Sequence, residues 1–310
     1  MGKTAFLFPG QGSQYVGMGK EIYDQTIEAK EVIDQVDDTL DYGLSRLMFE
    51  GPLEELTRTE HAQPALLTVS VAVLQLLHKE GIRADYAAGH SLGEYSALVA
   101  ADVLSLKEAV KLVKKRGLLM EEAVPTGVGT MAAVMGLERE KLSEVTEEVS
   151  DTTGTVELAN INAPGQIVIS GKKEAVEIAG ELAREKGAKR VIPLSVSGPF
   201  HSSLMQPAQE QLQEEINALS FSDATVPVIQ NVNATEATDK DIIKKQLIKQ
   251  VTAPVYWEDT IRRLLDLGVT RFIEVGPGKV LSGLVRRVQR RGVEVYAVEN
   301  IESIQALLKE

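Results

Sequence analysis

The chain has no cysteine among its 310 residues. Disulfides, thiolate nucleophiles and sulfur-ligated metal sites are therefore excluded. Histidine is also scarce: the four histidines are scattered and form no H-E-x-x-H pattern, so neither a zinc site nor any other metal is expected. Positive charge is in short supply, with 33 Lys and Arg against 45 Asp and Glu and a net charge of −12, which argues against general nucleic-acid binding. No apolar run approaches the length of a membrane span. The first apolar stretch, Ala5-Phe6-Leu7-Phe8, stops at Pro9 and is too short for a signal peptide. The expectation is a cytoplasmic protein with no membrane partner. What is present, 44% hydrophobic and 25% charged residues, is the make-up of an ordinary globular chain, long enough for two structural units.

The most informative stretch is Gly89-His90-Ser91-Leu92-Gly93, preceded by apolar residues from Tyr86 and followed at once by helix formers. Strand, sharp turn and helix form the context of a nucleophile elbow. Its glycines are needed because a side chain two positions either side of the serine would strike the neighbouring strand and helix. Ser91 is left at a helix start, where unpaired N–H groups can stabilise an oxyanion. Residues 4–8 read as a buried strand leading into Pro9-Gly10-Gln11-Gly12. Gly12 to Gly17 has P-loop glycine spacing, but Met18 stands where the lysine must be. The turn at Gln11 suits the second half of an oxyanion hole as well as it suits a plain β-to-α connection.

Gln63-Pro64 opens an apolar helix expected over 65–77, with Gln63 at its mouth either as a lining residue or as a cap. In a helix expected over 105–122, Arg116 projects from the apolar half of the wheel. A guanidinium there needs a partner, either a carboxylate of this acidic chain or an anionic ligand. Beyond a linker at 125–129, the pattern becomes strand 130–136, helix 138–149, strands 156–161 and 166–170, helix 172–187 and strand 190–194. This is the βαββαβ order of a ferredoxin-like unit. Residues 127–195 are accordingly expected as an inserted small subdomain. Residues 1–126 and 196–310 form an α/β core, hydrolase-like, with a mainly parallel sheet and helices on both faces. The polar turn Asn160-Ile161-Asn162-Ala163-Pro164-Gly165-Gln166 faces the cleft or is an ordinary hairpin.

A serine nucleophile needs a base. His90 adjoins Ser91 and should point away from its hydroxyl, His78 sits at a polar helix end, and His61 lies in a turn. His201, at the start of a helix expected over 201–219, is the remaining candidate. Further on come a strand at 226–230, helices at 239–251 and 258–267, a strand at 270–275, a helix to 291 and a strand at 293–298. The cluster Arg286, Arg287, Arg290 and Arg291 reads first as a solvated helix end, and otherwise as a docking point for an acidic partner or nucleotide phosphates.

Together, Phe8-Pro9-Gly10-Gln11-Gly12-Ser13-Gln14, Gln63-Pro64-Ala65, Gly89-His90-Ser91-Leu92-Gly93-Glu94, Arg116, Asn162-Ala163-Pro164-Gly165-Gln166, Phe200-His201-Ser202 and Glu274-Val275-Gly276-Pro277-Gly278 carry a resemblance. Across nearly the whole chain they resemble the malonyl-CoA:acyl carrier protein transacylases of fatty acid synthesis. The resemblance implies that Ser91 is the acylated nucleophile and His201 its base, oriented by the backbone carbonyl of Gln250 rather than by a carboxylate. It implies an oxyanion hole from the N–H groups of Gln11 and Leu92, with Arg116, Phe200, Gln63 and Asn162 binding substrate. Arg116 would grip the malonyl carboxylate, and the Phe200 ring would crowd out a 2-methyl branch. The implied reaction is ping-pong between malonyl-CoA and holo acyl carrier protein and needs no metal or redox cofactor; nothing in the sequence demands more than a monomer. The alternatives are a serine thioesterase or esterase of the α/β-hydrolase type, and a catalytically silent carrier-binding protein. More than a hundred residues follow His201, unlike the Ser, acid, His order of ordinary hydrolases.

Overall fold

A computed structural model describes residues 2–309. Two sheets organise the chain. The first contains β1 (Lys3–Phe8), β2 (Tyr86–Gly89), β7 (Val228–Ile229), β8 (Glu236–Ala237), β10 (Val269–Val275) and β11 (Glu294–Val298), in the order β11-β10-β1-β2-β7-β8. All its pairings are parallel except β7 with β8. β1 lies at its centre and buries Ala5 to Phe8, as a strand covered by helices on both faces must. The second sheet contains β3 (Gly129–Met135), β4 (Val156–Ala163), β5 (Gln166–Lys172), β6 (Arg190–Pro193) and β9 (Val255–Tyr256), in the order β6-β3-β5-β4-β9. With the helices Arg139–Thr152 and Lys173–Glu185, its first four strands form the expected ferredoxin-like arrangement. The two-residue strand β9 comes from far outside residues 127–195 and adds parallel to β4.

Two helices differ from the sequence reading in ways that matter for the site. The apolar helix runs from Thr59 to Lys79, so Pro64 lies inside it and not at its first turn. Tertiary contacts secure the extra turn: the Thr59 N–H donates to Glu121 Oε1 at 2.9 Å. Gly117 lets the neighbouring helix Leu106–Glu122 come so close that a β-carbon there would lie 2.6 Å from the Thr59 carbonyl oxygen. The second difference follows His201. A 3₁₀ turn spans Ser203–Met205 and the α-helix begins only at Gln206. Pro207 then falls in the first turn, where its missing N–H costs nothing; a helix starting at 201 would have put it in the interior, at about 3 kcal/mol. The last long helix is likewise shorter than expected, Val280–Val288.

Candidate active site

Ser91 sits between β2 and the helix Leu92–Ala100 with φ 52° and ψ −110°, a conformation a residue with a β-carbon adopts only under constraint. Part of the constraint is close packing. A β-carbon on Gly89 would lie 1.9 Å from the Gly93 carbonyl, and one on Gly93 2.0 Å from the Phe8 carbonyl oxygen. The rest is a buried asparagine. The Ser91 N–H donates to Asn231 Oδ1 (2.7 Å), and Asn231 Nδ2 donates to the Gly89 carbonyl (2.7 Å), so one amide spans the turn. Asn231 follows β7, at the C-terminal edge of the parallel sheet where ligand-bearing loops of α/β folds gather.

His201 reaches Ser91 from the other side, with Nε2 at 2.8 Å from the serine Oγ. Its Nδ1 faces two main-chain carbonyls, Gln250 at 2.9 Å and Ala253 at 3.2 Å. Two acceptors on that side put the proton on Nδ1 and leave Nε2 to accept from the Ser91 hydroxyl. Burial first, then the Arg116 charge, hold the imidazole pKa down to about 3. The ring is therefore neutral at physiological pH, as a general base must be.

Arg116 is 1% exposed. Its Nη1 donates to Gln63 Oε1 (2.8 Å), its Nη2 to Gln250 Oε1 (3.0 Å) and to Ser91 Oγ (3.2 Å), and the guanidinium lies 5.3 Å from the centre of the Tyr95 ring. All three acceptors are neutral, so no carboxylate is bonded to the guanidinium, and Glu94 acts on it only at a distance. Gln63 is fully buried within its helix rather than standing at the mouth. Gln250 also donates from Nε2 to the Ser91 carbonyl (2.9 Å) and to Glu94 Oε2 (2.7 Å). The Glu94 carboxylate, pushed up to about 7 by burial, receives the Asn231 N–H as well and makes no bond to His201. It is a buried support for Gln250 and Asn231.

A cavity of about 300 Å³ opens over Ser91 and His201, lined among others by Arg116, Met120, Asn160 and Phe200. Gln11 borders it, its side chain donating to Thr59 Oγ1 at 3.3 Å. Neither the Gln11 N–H nor that of Leu92, the first residue of its helix, has an acceptor among the described residues. Asn162 stands elsewhere. Its Oδ1 accepts from His90 Nε2 at 2.8 Å, and Asn160 takes the lining position. Sequence reasoning included Asn160 in a cleft-facing turn but singled out Asn162, missed Asn231 and Ala253, and gave Glu94 no supporting role.

The model of the acyl transferase domain matches residues 5–306. A malonyl CoA-acyl carrier protein transacylase of Bacillus subtilis is 57% identical over 309 residues, covering 100% of this chain and 97% of the relative. Among solved structures, an acyl carrier protein S-malonyltransferase from Vibrio cholerae matches with a TM-score of 0.96 at 43% identity, over 98% of this chain and 99% of that one. A malonyl-transacylase in complex with a type II polyketide acyl-carrier protein matches with a TM-score of 0.96 at 40% identity, over 99% and 100% of the two chains.

Proposed function

Because the chain belongs to the acyl transferase family, we propose that it carries a malonyl group from malonyl-CoA to the phosphopantetheine thiol of holo acyl carrier protein, supplying malonyl units for fatty acid synthesis. The observation that carries the malonyl part is Arg116: a buried cation beside Ser91 Oγ whose only bonded acceptors are neutral. A carboxylate joined to the reacting carbonyl through one methylene supplies a directly bonded counter-charge, and the paired Nη hydrogens offer it a fork.

In the first half-reaction His201 Nε2 takes the Ser91 proton as Oγ attacks the thioester carbonyl. The oxyanion meets the free N–H groups of Gln11 and Leu92 at the positive end of the elbow helix. The intermediate collapses, the C–S bond breaks, and His201 returns the proton to the departing CoA sulfur. In the second half the carrier thiol gives its proton to His201 and attacks the malonyl ester, and Ser91 leaves with that proton. Arg116 fixes the acyl carboxylate throughout, which lets a thiol outrun water at the same carbonyl. Phe200 narrows the space around the α-carbon. We read residues 1–126 and 196–310 as the catalytic core and 127–195 as a smaller subdomain roofing the cavity. Every group invoked belongs to one chain, which suits a monomer working on CoA thioesters in the cytoplasm.

The test is the intact mass of the protein after brief mixing with malonyl-CoA, with Ser91→Ala alongside and free CoA followed. A malonyl adduct on the wild type only, about one CoA released per chain, and turnover on adding holo carrier are expected. Steady CoA release without carrier or lasting adduct would make the protein a thioesterase.

A further inference from the structure

We propose that Glu157 is a positioning residue for the Ser91–His201 pair, acting from the second sheet through the backbone of Ser203; the inference rests on the transfer reading above. Glu157 lies on β4 and its Oε2 accepts the Ser203 N–H at 2.6 Å, the length of a strong charge-assisted bond. Ser203 is two residues beyond His201, which holds φ 57°. A left-handed backbone at a histidine persists only where contacts fix the chain around it. Upstream, the turn is closed by Ser202 Oγ donating to the Pro199 carbonyl at 2.6 Å. Downstream, Glu157 is the side chain that receives a backbone N–H.

The same strand grips the site at two other points. Asn162 accepts from His90, the neighbour of Ser91, and Asn160 and Ile161 pair with Val255 and Tyr256 of β9, the strand just past the two carbonyls that face His201 Nδ1. β4 thus touches the chain beside the nucleophile, beside the base and beside the carbonyls that orient the base. Glu157 itself contacts no reacting group. It lines, along with Ser203, a groove of about 900 Å³ that shares His201 alone with the cavity over Ser91, and it does not line that cavity. Removing its bond should therefore alter the alignment of the pair and leave acyl binding alone.

The experiment measures the single-turnover rate of Ser91 acylation by malonyl-CoA, its dependence on malonyl-CoA concentration, and the rate of Ser91 labelling by a fluorophosphonate. The variants are Glu157→Ala, Glu157→Gln, Ser203→Pro and the Glu157→Ala, Ser203→Pro double. Ser202 is extended (φ −125°, ψ 166°) and Ser203 opens a 3₁₀ turn, so the backbone there accepts proline, whose ring carbon replaces the donated hydrogen and pushes the Glu157 carboxylate aside. Glu157→Ala and Ser203→Pro should each slow acylation and labelling about fivefold, the upper value of a solvent-exposed contact to a charged group, with half-saturation within about twofold of wild type. Glu157→Gln, which keeps an acceptor, should stay within about twofold, and the double variant should be no slower than either single. Wild-type rates in Glu157→Ala or Ser203→Pro, equal losses in Gln and Ala, or multiplying losses in the double would overturn the proposal. If Glu157→Ala does not fold, Ser203→Pro and Glu157→Gln decide by the same criteria. A wild type that labels with the fluorophosphonate but takes no malonyl would refute the transfer reading instead, with the labelling rates still judging Glu157.

Discussion

Replacing Arg116 by alanine tests the acyl-group assignment most directly. The guanidinium is buried, and two of its donors are held by Gln63 and Gln250. The Nη2 contact to Ser91 Oγ, at 3.2 Å, is the longest of the three and is the one weakened when Oγ becomes an ester oxygen, a poorer acceptor than a hydroxyl. One malonyl carboxylate therefore gains a charged fork from a guanidinium that is itself buried. Losing one partner of such a desolvated pair costs about 2–4 kcal/mol, or roughly 30- to 1000-fold in kcat/KM for malonyl-CoA. An acetyl group offers nothing to the fork, so acetyl transfer should stay within about threefold or improve as the buried cation disappears. The assay compares acylation by the two CoA esters in wild type and Arg116→Ala. Equal losses for both would show that the arginine supports the fold through Gln63 and Gln250 and does not select the acyl group.

Three further outcomes are expected. The His201 pKa, about 3 when folded against 6.5 unfolded, means the unfolded chain gains a proton below pH 6.5 that the folded chain refuses; stability should fall by about 1.4 kcal/mol per pH unit down to about pH 3, and denaturant melts should show this component missing from His201→Asn. Phe200→Ala should raise the methylmalonyl-to-malonyl ratio of kcat/KM by about tenfold or more, since crowding by one methyl group is worth about 1–3 kcal/mol; an unchanged ratio would remove the ring from acyl selection. Gly93→Ala drives a β-carbon to 2.0 Å from the Phe8 carbonyl oxygen, so the elbow and β1 must part; a loss below about 1 kcal/mol in chemical denaturation would contradict that packing.

Local features of the chain were legible in advance because local physics dictates them. Glycine spacing around Ser91 announces a turn with no room for side chains, and the alternation of strands and helices announces an α/β fold. What escaped depends on distant segments or on groups without a side-chain signature. Asn231 acts on a serine 140 residues away. The strands β8 and β9 are two residues long, too short to show any period, whereas β7 falls within the strand expected at 226–230. Which asparagine lines the cavity, Asn160 or Asn162, was unreadable because β4 slips its register between Leu158 and Asn160 and again between Ile161 and Ala163. Each irregularity breaks the strict alternation from which facing is inferred. Pro64 suggested a helix start, yet contacts from Glu121 and Gly117 extend the helix beyond it.

The two carbonyls facing His201 Nδ1 have a genetic consequence. A side-chain carboxylate in that place can be deleted by one codon change, whereas a main-chain oxygen is present whatever residue is encoded at 250 or 253. Substitution at Ala253 should leave its acceptor intact, and at Gln250 what is lost is the amide network of Arg116, Glu94 and Ser91. Only changes that displace the backbone, such as a proline or an insertion between the helix Lys240–Lys249 and β9, can strip the base of its acceptors. Loss-of-orientation alleles should therefore cluster as backbone lesions in this short segment rather than as missense changes of any single polar residue.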